Sequence, residues 1–171
     1  MYFHASSIKG IRILEPRLSN HNTPLIYFSR KRENVLVYLS NAVEKYCKES
    51  GFAHSGKWTK WGSYGFTKNG IQHIDEYYPN ALIDTYKGVS GYIYAVQTVE
   101  DSGFHLQIPD AVTSSNPVPV KYCEYIPDAH EAILAAERDG LVEVCRYEKQ
   151  SQDKLDWIKH TIRKEYSQAE N

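Results

Sequence analysis

Three short stretches of this sequence carry the side chains best suited to chemistry. They are Tyr2-Phe3-His4-Ala5-Ser6, Leu25-Ile26-Tyr27-Phe28-Ser29 and Tyr122-Cys123-Glu124-Tyr125-Ile126, with Tyr38 eleven positions after Tyr27. A histidine can bond a hydroxyl with one ring nitrogen while the protein holds the other. A nearby serine adds a second polar contact. Two tyrosines can wall in a flat, electron-poor ring. A carboxylate can stabilise positive charge developing on a sugar as its glycosidic bond breaks, and can take up a proton. Each residue alone has a plainer use. As a lone residue, Glu124 reads better as a solvated strand glutamate, at roughly three to one. His4 alone reads as a surface histidine near a terminus. Tyr27 in an apolar run and Tyr38 on an amphipathic segment read as core.

Taken in order, the three stretches resemble the strands of the ADP-ribosyltransferase fold. The branch they resemble carries a His-Tyr-Glu triad, the diphtheria-toxin and poly-ADP-ribose-polymerase type. There, one strand ends in His-Gly-Ser/Thr and a second carries a Gly-Ile-Tyr-Phe-like run. A stacking tyrosine follows eleven residues later, and a late strand reads Tyr-x-Glu-Tyr-Ile. The resemblance covers about thirty residues directly and, through their order, residues 1–126.

The resemblance implies an α+β fold with two packed antiparallel or mixed sheets and flanking helices. It also implies a transferase (a pentosyl-type glycosyltransferase) that uses NAD as substrate, needs no metal, releases nicotinamide and hands ADP-ribose to an acceptor. Glu124 would be the catalytic carboxylate, His4 the ribose anchor, and Tyr27 and Tyr38 the nicotinamide stackers. Ser6 and Ser29 would add contacts to the dinucleotide, and Arg17 or Arg12 would meet its pyrophosphate. Ala5 stands where the family has glycine. Alanine keeps the N–H and C=O that would clamp the nicotinamide amide, but restricts how closely the ligand approaches. Tyr122, two before Glu124, replaces the Glu or Gln of arginine- or asparagine-modifying toxins, which points away from arginine as acceptor. NAD hydrolysis, an RNA 2′-phosphotransferase-like reaction, and a catalytically silent NAD- or ADP-ribose-binding module are the alternatives.

The rest of the sequence must position these residues. Its 171 residues suit one domain, enough to bury roughly 70% of the surface of the unfolded chain. Twenty lysines and arginines nearly cancel 21 aspartates and glutamates, which argues against a surface built wholly for nucleic acid or anionic lipid. Three scattered cysteines offer neither a disulfide framework nor a CxxC knuckle, and the histidines lack zinc-ligand spacing. No phosphate-binding glycine motif or nucleophile elbow occurs. The cysteines, all in apolar patterns, read as inert thiols. No apolar run nears the ~20 residues that span a bilayer, and the start lacks a secretion signal, so the expected location is cytoplasmic, away from membranes. Fourteen tyrosines are expected to be mostly core.

Short apolar runs at Met1–Phe3, Ile11–Leu14 and Leu25–Phe28 predict strands, with loops at 4–7 and 17–24. Ser29 is expected to cap a helix whose apolar face is Val35, Leu36, Leu39, Ala42, Val43, Tyr46 and Cys47, with Gly51 as its stop. Residues 52–70, with Trp58 and Trp61, read as a loop with a hairpin. Ile71–Tyr78 reads as a short helix halted by Pro79. Strands are predicted at 89–99, 105–108, 118–126 and 141–147, and a loop at 110–119. Asp128 opens a helix to Arg138 with Gly140 beyond it. A last amphipathic helix covers about 153–168, with Leu155, Ile158 and Ile162 on one side, as an extension of the domain. Helices and strands interspersed without a βαβ rhythm favour α+β.

Overall fold

The computed structural model describes residues 1–18, 22–40 and 63–168, with side chains described to residue 161. The strands are β1 (Tyr2–Ser6), β2 (Ile13–Leu14), β3 (Arg17–Leu18), β4 (Pro24–Ser29), β5 (Tyr64–Phe66) and β6 (Gln72–Asp75). They continue as β7 (Gly91–Val96), β8 (Ala111–Ser114), β9 (Val118–Pro119), β10 (Tyr122–Ile126) and β11 (Val142–Cys145). Helices are α1 (Ala81–Tyr86), α2 (Ala129–Arg138) and α3 (Gln152–Gln168), with 3₁₀ helices at Glu33–Tyr38 and Tyr147–Lys149. The chain is a mixed α+β structure with several sheets and few helices, as its irregular alternation of elements predicts.

The largest sheet has six strands in the order β10-β7-β1-β4-β3, with β8 also pairing β4. Its registered pairs are antiparallel. A second sheet runs β11-β6-β5, with β11 parallel to β6, and β2 pairs β9 separately. Two cores follow from the two faces of the large sheet. On one face Ile93 and Ile126 meet Val35, Leu36 and Leu39 from the 3₁₀ segment and Ala129, Ile133 and Ala136 from α2. On the other face Ile26, Phe28, Tyr94 and Val96 close against Leu14 and Val118. Alternation along each strand sends neighbours to opposite cores.

Local chemistry explains the clearest elements. The Asp128 carboxylate accepts the N–H groups of His130 and Glu131 at the start of α2, satisfying donors a helix leaves open. At its end Gly140 adopts φ +71°, and Leu141 and Gly140 donate to the carbonyls of Ala136 and Glu137. That is a Schellman stop, in which glycine avoids the left-handed strain of a Cβ. Gly91 has a different reason: a Cβ there would lie 2.5 Å from a Leu39 methyl, so its absence lets the 3₁₀ segment seat on β7.

Several sequence expectations need correction. β1 runs through Ser6, so His4 lies inside a strand, and β3 occupies part of the expected loop at 17–24. Between residues 33 and 38 the expected helix is a 3₁₀ helix, capped by no side chain. Ser29 ends β4, its Oγ accepting the Lys31 N–H. The continuation through Ala42, Val43, Tyr46, Cys47 and Gly51 lies outside the described residues, as do Trp58 and Trp61. Residues 72–75 form strand β6, because pairing with both β5 and β11 outweighs the apolar cluster that follows it. Pro79 precedes helix α1 instead of ending one. His105–Ile108 alternates in sequence but has no partner strand among the described residues, and alternation without a partner does not make a ladder. Conversely β8 forms inside the Ser-, Asn- and Pro-rich stretch, because Val112 and Thr113 pair with Phe28 and Tyr27. The predicted strand at 118–126 is two, β9 and β10, and the last helix begins at Gln152; its Ile162 side chain lies outside those described. Tyr77, Tyr86 and Tyr94 are core, whereas Tyr38, Tyr122 and Tyr125 are exposed.

Candidate functional site

All three singled-out stretches become strands of the six-stranded sheet: β1, β4 and β10. β7 lies between β1 and β10. Registration across these strands gives two rows. Ala5, Ile93 and Glu124 are partners in one, and His4, Tyr94 and Cys123 in the other. Partners in an antiparallel sheet share a face, so His4 and Glu124 project from opposite faces, about 10 Å apart across two strand spacings. Phe3 is registered with Ser29, and alternation along β4 puts Tyr27 on the face of Ala5 and Glu124, opposite Ile26 and Phe28.

On the His4 face a cross-strand bond and close packing set the geometry. β1 and β4 share one registered pair, Phe3 with Ser29. Next to it the His4 imidazole reaches across the strand gap, and its Nδ1 bonds the Tyr27 carbonyl at 2.8 Å. A carbonyl only accepts, so Nδ1 carries the proton. Burial pushes the His4 pKa down, the nearby Arg17 charge adds to this, and the Tyr27 carbonyl opposes both without prevailing. The ring is therefore neutral near pH 7, leaving Nε2 as a bare acceptor. Phe28 packs edge-on at 6.0 Å between ring centres. A cleft of about 200 Å³ opens here, lined by His4, Ser6, Arg17, Leu25, Ile26 and Tyr27 among others. That volume is below the usual range for whole-ligand pockets and suits one portion of a larger molecule. Ser6 Oγ accepts the Ile8 N–H at 3.2 Å, which steadies the turn leaving β1. Arg17 is exposed at the cleft mouth.

On the opposite face, beyond the apolar core, Glu124 lies on β10 at the edge of the sheet. Arg32 grips Glu124 with two parallel bonds, Nε to Oε2 at 2.7 Å and Nη2 to Oε1 at 2.5 Å. Its Nη1 also donates to Glu33 at 3.3 Å. The Glu124 bond, more than the cost of partial burial, raises the Arg32 pKa above its already high ordinary value, so the guanidinium stays charged. Tyr38, at the end of the same 3₁₀ helix, shares a hydroxyl–hydroxyl bond of 2.9 Å with Tyr64, their rings edge to face at 5.9 Å. Of the other residues singled out from sequence, Ser29 is buried and spends its hydroxyl on the Lys31 N–H, and Arg12 is exposed.

The structure thus brings His4, Ser6 and Arg17 together around one cleft, with Tyr27 tied to it through its carbonyl, and sets the Tyr27 side chain and Glu124 toward the other face, Glu124 beside Arg32. Arg32 is the residue the sequence reading missed. Its signal was the charged run Arg30-Lys31-Arg32-Glu33 directly after β4, which looks like an ordinary polar helix start. Among the described residues no helix is long and apolar enough to cross a membrane. No protein-family model matches the chain, and neither the curated proteins nor the solved structures provide a match.

Proposed function

We propose that the chain is an NAD-dependent ADP-ribosyltransferase of the His-Tyr-Glu type, with its site built on β1, β4 and β10. One observation carries the reading. Three motifs separated by up to 120 positions lie in one sheet, and the first is tied to the second by the His4–Tyr27 bond. The large antiparallel sheet with helices on one face is in keeping with the fold that the resemblance implies.

In this reading the dinucleotide lies with its phosphates and one ribose in the His4 cleft. Its phosphates meet Arg17, whose exposed guanidinium can bond two phosphate oxygens at once. A ribose hydroxyl donates to the bare Nε2 of His4, a bond available only to neutral imidazole. The nicotinamide riboside passes around the end of the sheet to the Glu124 side, between Tyr27 and Tyr38. There the C–N bond to nicotinamide breaks, nicotinamide leaves with the bonding electrons, and the ribose acquires oxocarbenium character. The Glu124 carboxylate stabilises that charge and takes the proton of the incoming acceptor hydroxyl, amine or water. Arg32 presents Glu124 at a fixed angle in the resting state.

A second reading is a binding module that holds NAD or ADP-ribose without turnover. The bidentate occupation of both Glu124 oxygens by Arg32, together with Ala5 in place of glycine, favours it. Nicotinamide release from NAD by the purified chain separates the two, and a panel of acceptors separates transfer from hydrolysis. Steady release supports the enzyme; binding without release supports the module; neither binding nor release defeats both.

A further inference from the structure

The second sheet gathers a different set of reactive groups. His73 and Asp75 lie two positions apart on β6, and Cys145 is the registered partner of Asp75 on parallel β11. One donor atom from each lies within 4.8 Å of the other two. Asp75 has a buried side chain, 4% exposed. Its Oδ1 is bonded by His73 Nδ1 at 3.1 Å, Gln150 Nε2 at 3.3 Å and Lys154 Nζ at 2.7 Å. Gly65 sits opposite His73, and a Cβ there would stand 2.7 Å from the imidazole Cε1 and Nε2. That glycine lets the ring lie flat on β5, with Nδ1 turned to the cluster.

We propose that His73, Asp75 and Cys145 form a binding site for a thiophilic divalent transition metal, zinc by ligand type, with the Lys154 ammonium as the resident cation when metal is absent. The donor set argues for this. Ligands at ordinary zinc distances stand about 3.3–3.8 Å apart in a tetrahedron, so a small contraction of this cluster suffices. An imidazole and a thiolate exclude magnesium and calcium, which prefer oxygen. Three protein ligands leave the fourth position to water. Binding balances without redox change: the Cys145 proton passes to solvent, and Lys154 Nζ withdraws to water as its charge is replaced.

A nucleophilic Cys145 is the less consistent use of these groups. Asp75, the group beside it, is already held by His73, Gln150 and Lys154, an arrangement that suits a shared cation better than a thiol poised to attack. The spacing, His-x-Asp on a strand plus a cysteine seventy positions later, falls outside the HxxxH and CxxC patterns by which sequences disclose zinc. This site is independent of the NAD reading and stands or falls separately.

The test uses the full chain, freed of metal and titrated with Co²⁺ as a spectroscopic probe for Zn²⁺. The expected result is a thiolate-to-cobalt charge-transfer band that saturates at one Co²⁺ per chain and is abolished by Zn²⁺. Cys145→Ser should lose the band and weaken Zn²⁺ binding at least about tenfold, whereas Cys123→Ser should leave both unchanged. Lys154→Met, which keeps the aliphatic stem but removes the competing charge, should tighten Zn²⁺ binding about tenfold. If Cys145→Ser does not fold, as judged by circular dichroism, Lys154→Met decides alone. Absence of the band in wild type, its survival in folded Cys145→Ser, or unchanged affinity in Lys154→Met overturns the proposal and leaves the cluster as a structural ion pair anchoring α3.

Discussion

The two faces of the large sheet hold their polar side chains by different means. His4 is half-buried, tied to a main-chain carbonyl and packed against Phe28, so a ligand meets it already oriented. Glu124 is tied to a side chain, Arg32, and both are partly solvated, at 42% and 30% exposure. Ion pairs so exposed contribute about 1 kcal/mol or less, because water and salt compete for each partner. An incoming anion can therefore take Arg32 from Glu124 at little cost, whereas His4 is held by a main-chain carbonyl fixed within the sheet. The lesson is a division of labour: one face is preformed for recognition, and the other is held ready but can be opened for chemistry.

The largest effect that would break this comparison belongs to Glu124. Glu124→Gln keeps the shape and removes the charge, so nicotinamide release at saturating NAD should fall by about a hundredfold or more, with NAD affinity little changed. An equally active variant would move the catalytic role elsewhere. Next is Tyr38. If it stacks on nicotinamide, Tyr38→Ala should weaken NAD binding by about 1–3 kcal/mol without unfolding the protein. Equal affinity by calorimetry would leave Tyr38 as a partner of Tyr64 only.

A smaller effect probes the rigid face through the fold itself. Tyr94 is fully buried beside His4 in its row, donating to the Ile8 carbonyl at 2.6 Å and accepting the Ile11 N–H at 3.2 Å. Tyr94→Phe should cost about 1–2 kcal/mol in urea unfolding, because both main-chain groups lose a partner. The smallest effect is a pH dependence. Folding depresses the His4 pKa, so below the unfolded value of about 6.5 the unfolded chain binds more protons and stability falls with pH, until the depressed folded pKa is passed. Above about 6.5 the full contribution is present. The difference in stability between wild type and His4→Gln, followed from pH 8 to pH 5 so that other histidines cancel, should shrink across that window. A flat difference would mean that His4 is not held neutral.

How far the sequence discloses such a structure depends on where the deciding interactions lie. The cap at Asp128, the stop at Gly140 and the apolar run of β4 are local, and were legible as residue types at short spacing. β6 was not: Gln72, His73, Ile74 and Asp75 are a strand because β5 and β11 flank them, and those partners come from both directions along the chain. β8 is hidden for the same reason, since its Thr113 and Ser114 look like loop residues until β4 lies beside them. The three motif strands could be expected side by side, but not the faces they present. A single step in register exchanges Cys123 for Glu124, and register is set by the strand between, β7. Arg32 was unreadable because its partner is 92 positions away.

The measurement closest to the central claim is NAD binding to wild type, His4→Ala and Glu124→Gln by calorimetry. One site per chain is expected, with affinity reduced about tenfold or more in His4→Ala by loss of the hydrogen bond to the ribose, and nearly unchanged in Glu124→Gln. Wild type that fails to bind NAD, or an affinity untouched by His4→Ala, would contradict it.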